Sequence, residues 1–512
     1  MSSVARPGGK IRPLEELAEV LGSLRDEGKS VVQCHGVFDL LHFGHIRHFE
    51  SARRFGDVLV VTVTPDRFVH KGPGRPVFNE RLRAESIAAL ECVDFVAINA
   101  WPTATEAIAL LRPGVYCKGS DYADRESDIT RGIQAEEDAV RKVGGRIEFT
   151  ADITFSSSEL LNQYYGVYPE EARRFLEEFK TRHSPEDVIG RLNGLRDMRV
   201  LVIGEAIIDE YHYCQPMGKS PKETIVATRY LREEAFAGGA LACANHVAGF
   251  CNEVHLVTSV GERDSREDFI RQHVKPNVTP VFFRRPGAST IIKRRYIWEP
   301  FLVKMFEIVF MDDSDIPPAL EDQVVDHLTS ELARYDLVIA VDYGHGFLSP
   351  RVVTTLCEGS QFLAVNTQAN SANLGYNLIT KYPRADYVCI DEPEMRLAMH
   401  DRWSPVSELA DKVKGLLGAR AVAVTRGHLG SLTAGEDGTQ FEVPVFSREI
   451  VDRVGAGDAY LSLTAPCVAA ATPMDEVGVI GNAVGALAVR IVGNRSSVEP
   501  VPLYKFLTAL LK

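Results

Sequence analysis

Several things this chain lacks set its limits. No apolar run approaches the roughly 20 residues needed to span a bilayer. Met1–Lys10 has no apolar core of a secretory leader. No two cysteines stand at C-x-x-C spacing; the nine are scattered, with Cys34 and Cys389 in or beside strand-like runs. Such thiols are expected to be reduced and mostly buried, which points to a cytoplasmic protein. Positive charge is also short: 57 Lys and Arg against 70 Asp and Glu leave a formal charge of -13. That argues against a general nucleic-acid binder with a basic face, while leaving room for local basic pockets. The expected partners are small molecules, with neither nucleic acid nor membrane among them.

At 512 residues the chain is too long for one ordinary core. Short apolar runs alternate with stretches of helical spacing, which predicts an α/β fold with two doubly wound parallel-sheet domains. The first is expected over 1–165 and the second over 196–512. Between them, 166–195 reads as a helical connector. It is charged, opens a helix at Ser184-Pro185, and lacks the Gly/Ser or Pro richness of a loose linker.

In the first domain the informative stretch is Gly36-Val37-Phe38-Asp39-Leu40-Leu41-His42-Phe43-Gly44-His45. The strand Val31-Val32 precedes it, and Ile46, Phe49, Ala52 and Phe55 follow at helical spacing. The stretch is therefore a strand, a turn and a helix start, whose unpaired N–H groups attract anions. Gly44 would let a phosphate approach closely. His42 and His45 beside it are placed to donate hydrogen bonds to a transferring phosphoryl group. With His48 they lack the further ligand set that zinc would need. Lys71-Gly72-Pro73-Gly74-Arg75-Pro76-Val77 is a loop whose Lys71 and Arg75 are candidates to clamp phosphates. The run from Arg112 to Tyr122 closes a strand with Lys118 and a glycine turn. Ser156, Ser157 and Ser158 precede a helix as a cap and anion nest.

The second domain opens with the strand Arg199–Gly204, followed by Asp209. Thr290 to Glu307 reads as paired strands forming a small sheet over a cleft. Its strongest feature is Asp452-Arg453-Val454-Gly455-Ala456-Gly457-Asp458, leading into a helix that runs through Ala470. Gly455, Ala456 and Gly457 can turn backbone N–H groups into a pocket, and Asp458 can take a proton from a sugar hydroxyl.

Gly36 to His45, with Phe38, Asp39 and Gly44 in place, resembles the signature of the cytidylyltransferase-like nucleotidyltransferases. The Lys71 loop, the Arg112–Tyr122 turn and the serines resemble the heptose 1-phosphate adenylyltransferase branch, over about Leu14 to Tyr165. The resemblance implies that His42 and His45 contact the triphosphate, that Lys71 and Lys118 bind nucleotide or sugar phosphates, and that ATP is used rather than CTP. Asp452 to Asp458 resembles the D-x-x-G-A-G-D signature of ribokinase-type sugar kinases. Gly238-Gly239 with Asn245 resembles their substrate-side motif, and Thr425 to Gly430, with Gly427, their nucleotide-binding turn. Asp391 and Glu394 resemble their magnesium motif, with Asp391 in place of Asn. These matches imply that Asp209 holds sugar hydroxyls and that Glu394 acts on Mg2+ through water. Heptose-phosphate kinases differ at Val365–Gln368, where they carry an acid and a lysine, and at Asp342-Tyr343-Gly344-His345-Gly346, where they carry a lysine for His345.

Together these readings imply a bifunctional sugar-activating enzyme of the heptose-phosphate kinase/adenylyltransferase type, with its domains in reversed order. It would take ATP and Mg2+ and pair through its small sheet as a homodimer. One competing reading is a nucleotidyltransferase for a polyol phosphate with a scaffold second domain. The other is a non-catalytic sugar or nucleotide sensor. Retention of His42, His45 and Asp458 argues against both.

Overall fold

The computed structural model describes residues 9–119, 132–150 and 168–512. Ser156, Ser157 and Ser158, and the Asp121-Tyr122 end of the glycine turn, lie outside them. The chain divides into two compact units: 1–168 together with 504–512, and 169–503. The expected boundaries differ at two points. The connector is two helices, Glu170–Phe179 and Pro185–Asn193, that belong to the second unit, and Tyr504–Lys512 belong to the first.

The first unit holds β1 (Val31–Gly36), β2 (Val58–Val63), β3 (Phe95–Ile98), β4 (Val115–Gly119) and β5 (Arg146–Thr150) in one parallel sheet, ordered β3-β2-β1-β4-β5. β2 is buried along its whole length, as its unbroken run of Val, Leu and Thr requires of a strand covered on both faces. The chain winds outward from β1 in one direction, then from β4 in the other. The gap beside the carboxyl ends of β1 and β4 is therefore a topological switch point, where such sheets bind ligands.

Arg83 secures the loops above that edge. It lies in the helix Glu80–Ala88 with a side chain 1% exposed. Its guanidinium donates to the carbonyls of Val37, Thr64 and Phe78 and pairs with Asp66 at 2.6 Å. One cation thus holds the turns after both β1 and β2.

The second unit contributes β6 (Arg199–Gly204), β7 (Ala206–Lys219), β8 (Val226–Gly239), β9 (Glu253–Gly261), β10 (Val278–Arg285), β11 (Ile291–Trp298), β12 (Val303–Phe310), β13 (Leu337–Asp342), β14 (Leu363–Thr367), β15 (Tyr387–Asp391), β16 (Ala421–Thr425), β17 (Ser431–Ala434) and β18 (Gln440–Val443). Nine strands form the main sheet in the order β10-β9-β6-β13-β14-β15-β16-β17-β18, antiparallel only at its last two pairings. Its switch point lies between β6 and β13. The other four make a small sheet, β12-β11-β7-β8. The paired strands expected at Thr290–Glu307 are β11 and β12, and the long hairpin β7–β8 completes the sheet.

Replacing Arg83 with methionine would leave three carbonyls and a carboxylate without their donor. Urea denaturation of R83M should show a loss of about 3 kcal/mol in the first unit. An unchanged midpoint would mean that these bonds contribute nothing net.

Candidate active sites

In the first unit His42 is the N-cap of the helix Phe43–Arg53; its Nδ1 accepts from the Gly44 N–H at 3.1 Å. The His42 and His45 rings stack with centroids 3.8 Å apart, and Phe38 meets His45 edge-on. Phe38 takes φ +50° so that its ring can fold over Gly36, where a Cβ would come within 2.9 Å of it. Burial, then the His42 and Lys71 charges, push His45 down to about 3. His42 is lowered by burial and by Lys71. Both imidazoles are thus neutral near pH 7, and His45 donates to the Leu40 carbonyl.

Asp39 organises the loop that follows. Its carboxylate is fully buried, pairs with Arg75 at 3.2 Å, and accepts from the backbone N–H groups of Val77 at 2.7 Å and Phe78 at 3.3 Å. It ties the Lys71–Val77 loop to the turn. Arg75, read from the sequence as a phosphate fork, is likewise fully buried and committed to this pair. Lys71 remains as the phosphate-facing candidate, pushed down to about 8 by burial against the pull of Asp39. Lys118, at the end of β4, pairs with Glu136 at 2.8 Å.

In the second unit Gly455 caps the helix Ala456–Ala469 at φ +81°, with no side-chain cap on the helix start. Asp458 sits in the first turn, 8% exposed. Its Oδ1 accepts from the Tyr343 hydroxyl and from Gln368 Nε2, each at 2.9 Å. Burial pushes Asp458 up to about 6, opposed by the Tyr343 bond and reinforced by Asp209.

Asp209, on β7, pairs with Arg295 of β11 and accepts from Asn494 Nδ2 at 3.1 Å. A Cβ at Gly238 would lie 2.1 Å from Asp209 Oδ2, and one at Gly455 would lie 2.2 Å from Asn494 Oδ1. The two glycines make room for one chain of groups, Asp209–Asn494–Gly455, that links the sugar-side motif to the helix start. Gly239 turns at φ +60° into the helix Ala240–Val247. Asn245 on that helix is spent elsewhere: its amide donates to the His273 carbonyl and accepts from the Lys275 N–H, both at 2.8 Å.

Thr425 ends β16, and a tight turn follows, closed by Arg426 N–H donating to the Gly430 carbonyl at 2.8 Å. Gly427 and Gly430 both take positive φ. A Cβ at Gly430 would meet the Val443 carbonyl at 2.0 Å. Asp391 and Glu394 form a reciprocal cap on the helix Glu392–Met399. Burial and Asp391 push Glu394 up to about 8, and Asp391 is itself raised by burial. Two strained carboxylates fit a cation held through water, since a positive charge would relieve both. Among the described residues no group of three metal-ligand side chains gathers anywhere.

Other groups around Asp458 carry no motif of their own. Lys293 lies opposite Asp209 in the β11–β7 register, within Coulombic reach of both Asp209 and Asp458. Gln368 stands where a kinase lysine is missing, yet it holds Asp458. His345 is 1% exposed, and neither ring nitrogen has a partner among the described residues. Burial, then Lys293, push it down to about 4.

Residues 34–163 match the family model described as cytidylyltransferase-like, and 357–500 match that of the pfkB family carbohydrate kinases. A protein of Syntrophotalea carbinolica called "Bifunctional protein HldE" is 42% identical over 141 residues, 27% of each chain. Its namesake in Geobacter sulfurreducens is 35% identical over 165 residues, 32% of each. Both matches fall in the first region, so the chain spans less than a third of the length of these relatives. Phosphofructokinase-2 of Escherichia coli, solved with substrates and products, shares the fold of the second region at 12% identity and a TM-score of 0.50, over 61% of this chain and 100% of its own. The chain joins a Rossmann-like, cytidylyltransferase-like domain to a ribokinase-like domain of carbohydrate-kinase type.

The raised carboxyl of Asp458 gives a stability test. The folded state holds its proton up to about pH 6, whereas the unfolded state releases it near pH 4. Burying the charge therefore costs stability above pH 6, and the cost fades as pH falls. D458N should be more stable than the parent by about 2 to 3 kcal/mol at pH 8, and by well under 1 kcal/mol near pH 4. Equal stability of both proteins at pH 8 would show that the buried carboxylate is compensated.

Proposed function

We propose that the protein activates a sugar in two separate reactions, one in each unit. The observation that carries this reading is Asp458, a buried carboxylate held by Tyr343 and Gln368 at an uncapped helix start beside Asp209. In the second unit Asp209 holds sugar hydroxyls. Asp458 accepts the proton of the attacking hydroxyl as its oxygen bonds the γ-phosphorus of ATP and ADP leaves. The N–H groups at Gly455–Gly457 stabilise charge on the transferring phosphoryl group. Thr425–Gly430 is the nucleotide turn, and Asp391 with Glu394 would hold Mg2+ through water, which would supply charge neutralisation on the phosphates. Lys293 supplies one cation beside Asp209 and Asp458, which supports an acceptor that already carries a phosphate, as a heptose 7-phosphate does; His345, buried and neutral, supplies none.

In the first unit an oxygen of a sugar 1-phosphate attacks the α-phosphorus of ATP, and pyrophosphate leaves. His42 and His45 donate N–H groups to the charge that develops, while Lys71 and Lys118 bind phosphates. Ser156–Ser158 are assigned to the triphosphate from their motif alone. The product is an ADP-sugar of the ADP-heptose kind. Nine unpaired cysteines, eight of them buried, support a cytoplasmic setting.

The test is to follow ADP and pyrophosphate separately with ATP or CTP and a panel of heptose, hexose and polyol phosphates. D458A should abolish sugar-dependent ADP and leave pyrophosphate release intact; H42N/H45N should do the reverse. The ADP-forming rate should fall about tenfold per pH unit below about 6, as the Asp458 carboxylate protonates. Loss of both activities in either variant would contradict two independent sites.

The small sheet also supports the expected homodimer. Val303, Phe306, Ile308 and Phe310 of β12 and Tyr230 of β8 are each more than 40% exposed, an apolar face that a second copy would cover. Sedimentation of F306E/I308E should give monomers where the parent gives dimers; a monomeric parent would dismiss the pairing.

A further inference from the structure

We propose that Glu205 is a positioning residue for Asp458: it fixes the turn after β13 so that the Tyr343 hydroxyl reaches the base. This rests on the reading of Asp458 as the base of the second unit.

Glu205 follows β6 directly and is 1% exposed. Both of its carboxylate oxygens are taken up by backbone. Oε2 accepts from the Tyr343 N–H at 3.1 Å, and Oε1 accepts from the His345 N–H at 3.0 Å. Between them, the Gly344 N–H donates to Asp342 Oδ1 at 3.0 Å. Three successive N–H groups of one turn are thus held by two buried carboxylates. Asp342 is in turn held by the Tyr382 hydroxyl and Lys381. The carbonyl side of the turn is fixed as well. The Tyr343 carbonyl accepts from Asn370 Nδ2 at 2.9 Å and from Asn373 Nδ2 at 2.7 Å.

The strands that bring these groups together are closely set. β6 and β13 are neighbours, and a Cβ at Gly204 would lie 2.2 Å from the Val341 carbonyl oxygen. The carbonyl of Glu205 itself accepts from the Ala240 N–H at 3.1 Å, at the start of the helix that follows Gly239. One residue therefore joins β6, the turn after β13 and the sugar-side helix, at the switch point of the sheet.

The clamp sets where the Tyr343 side chain leaves the turn. Tyr343 is itself buried, and its hydroxyl donates to Asp458 Oδ1 at 2.9 Å. Burial raises Asp458, and the Tyr343 bond opposes that rise by favouring the charged form. Glu205 is pushed up to about 7, by burial and by Asp342. A neutral amide is therefore tolerated in its place, but it turns an NH2 group towards one of the two N–H donors.

The test uses the full chain with 13C-labelled aspartate and follows the Asp458 carboxyl by NMR as pH is varied, with D458N to identify its signal. Y343F, which leaves the clamp intact, should raise the Asp458 midpoint by about one pH unit. E205Q should raise it likewise, and E205Q/Y343F no further than either alone. E205D, too short to reach both N–H groups, should raise it by part of that amount. Removing a negative charge near Asp458 would by itself lower the midpoint, so a rise reports the lost Tyr343 bond. The acid limb of sugar-dependent ADP formation should move with the midpoint, while pyrophosphate release stays as in the parent. A parental midpoint in E205D or in folded E205Q would overturn the proposal, whatever the melting temperature. So would a further rise on adding E205Q to Y343F, which would mean that Glu205 acts without Tyr343. If no acceptor yields ADP from the parent, the titration still decides the link between Glu205 and Asp458, and only the reaction assigned to the second unit falls.

Discussion

Asp458 is a buried carboxylate whose proton affinity burial raises to about 6, and the groups of the second unit's site are arranged around it. Tyr343 and Gln368 donate to it, Asp209 opposes its charge, and the lysine of β11 answers both acids. Glycines open the space these groups need. Gly238 leaves room for Asp209, and Gly455 leaves room for the amide of Asn494 that reaches it. The same physics runs with the opposite sign in the first unit. There the buried groups are two imidazoles and Lys71, and burial lowers their affinity for protons instead of raising it. One site raises the proton affinity of an acid, the other lowers that of its bases.

Both sites lie at switch points of parallel sheets, and this explains which parts were legible in the sequence. A strand, a glycine turn and a helix start leave a local record, because the backbone angles demand particular residues in a fixed order. Gly36–His45 and Asp452–Asp458 were readable for that reason, as was the α/β alternation. Groups that enter from elsewhere leave no such record. Lys293 reaches Asp209 and Asp458 through the register of β11 against β7, which no spacing within β11 reveals. Asn494 comes from beyond the helix Ala456–Ala469. Tyr504–Lys512 return to the first unit after the second is complete.

The side chains whose partners differ from a motif reading have a related cause. Arg75 looked like a phosphate fork because its loop is basic and glycine-rich, yet Asp39 claims it from 36 residues earlier. Asn245 matched a substrate motif, but the backbone at His273 and Lys275 uses both ends of its amide. Gln368 looked like the loss of a lysine near the sugar's phosphate, and it donates to Asp458. In each case the residue type was read correctly, but its partner was set by tertiary packing.

The most direct measurement of the central claim uses ATP labelled separately at the α- and γ-phosphorus, incubated with the intact protein and a panel of sugar phosphates. The account predicts that γ-label enters one acceptor with release of ADP, and that α-label enters another with release of pyrophosphate. Appearance of α-label alone, with no acceptor taking the γ-phosphoryl group, would contradict the role given to Asp458 and reduce the second unit to a scaffold.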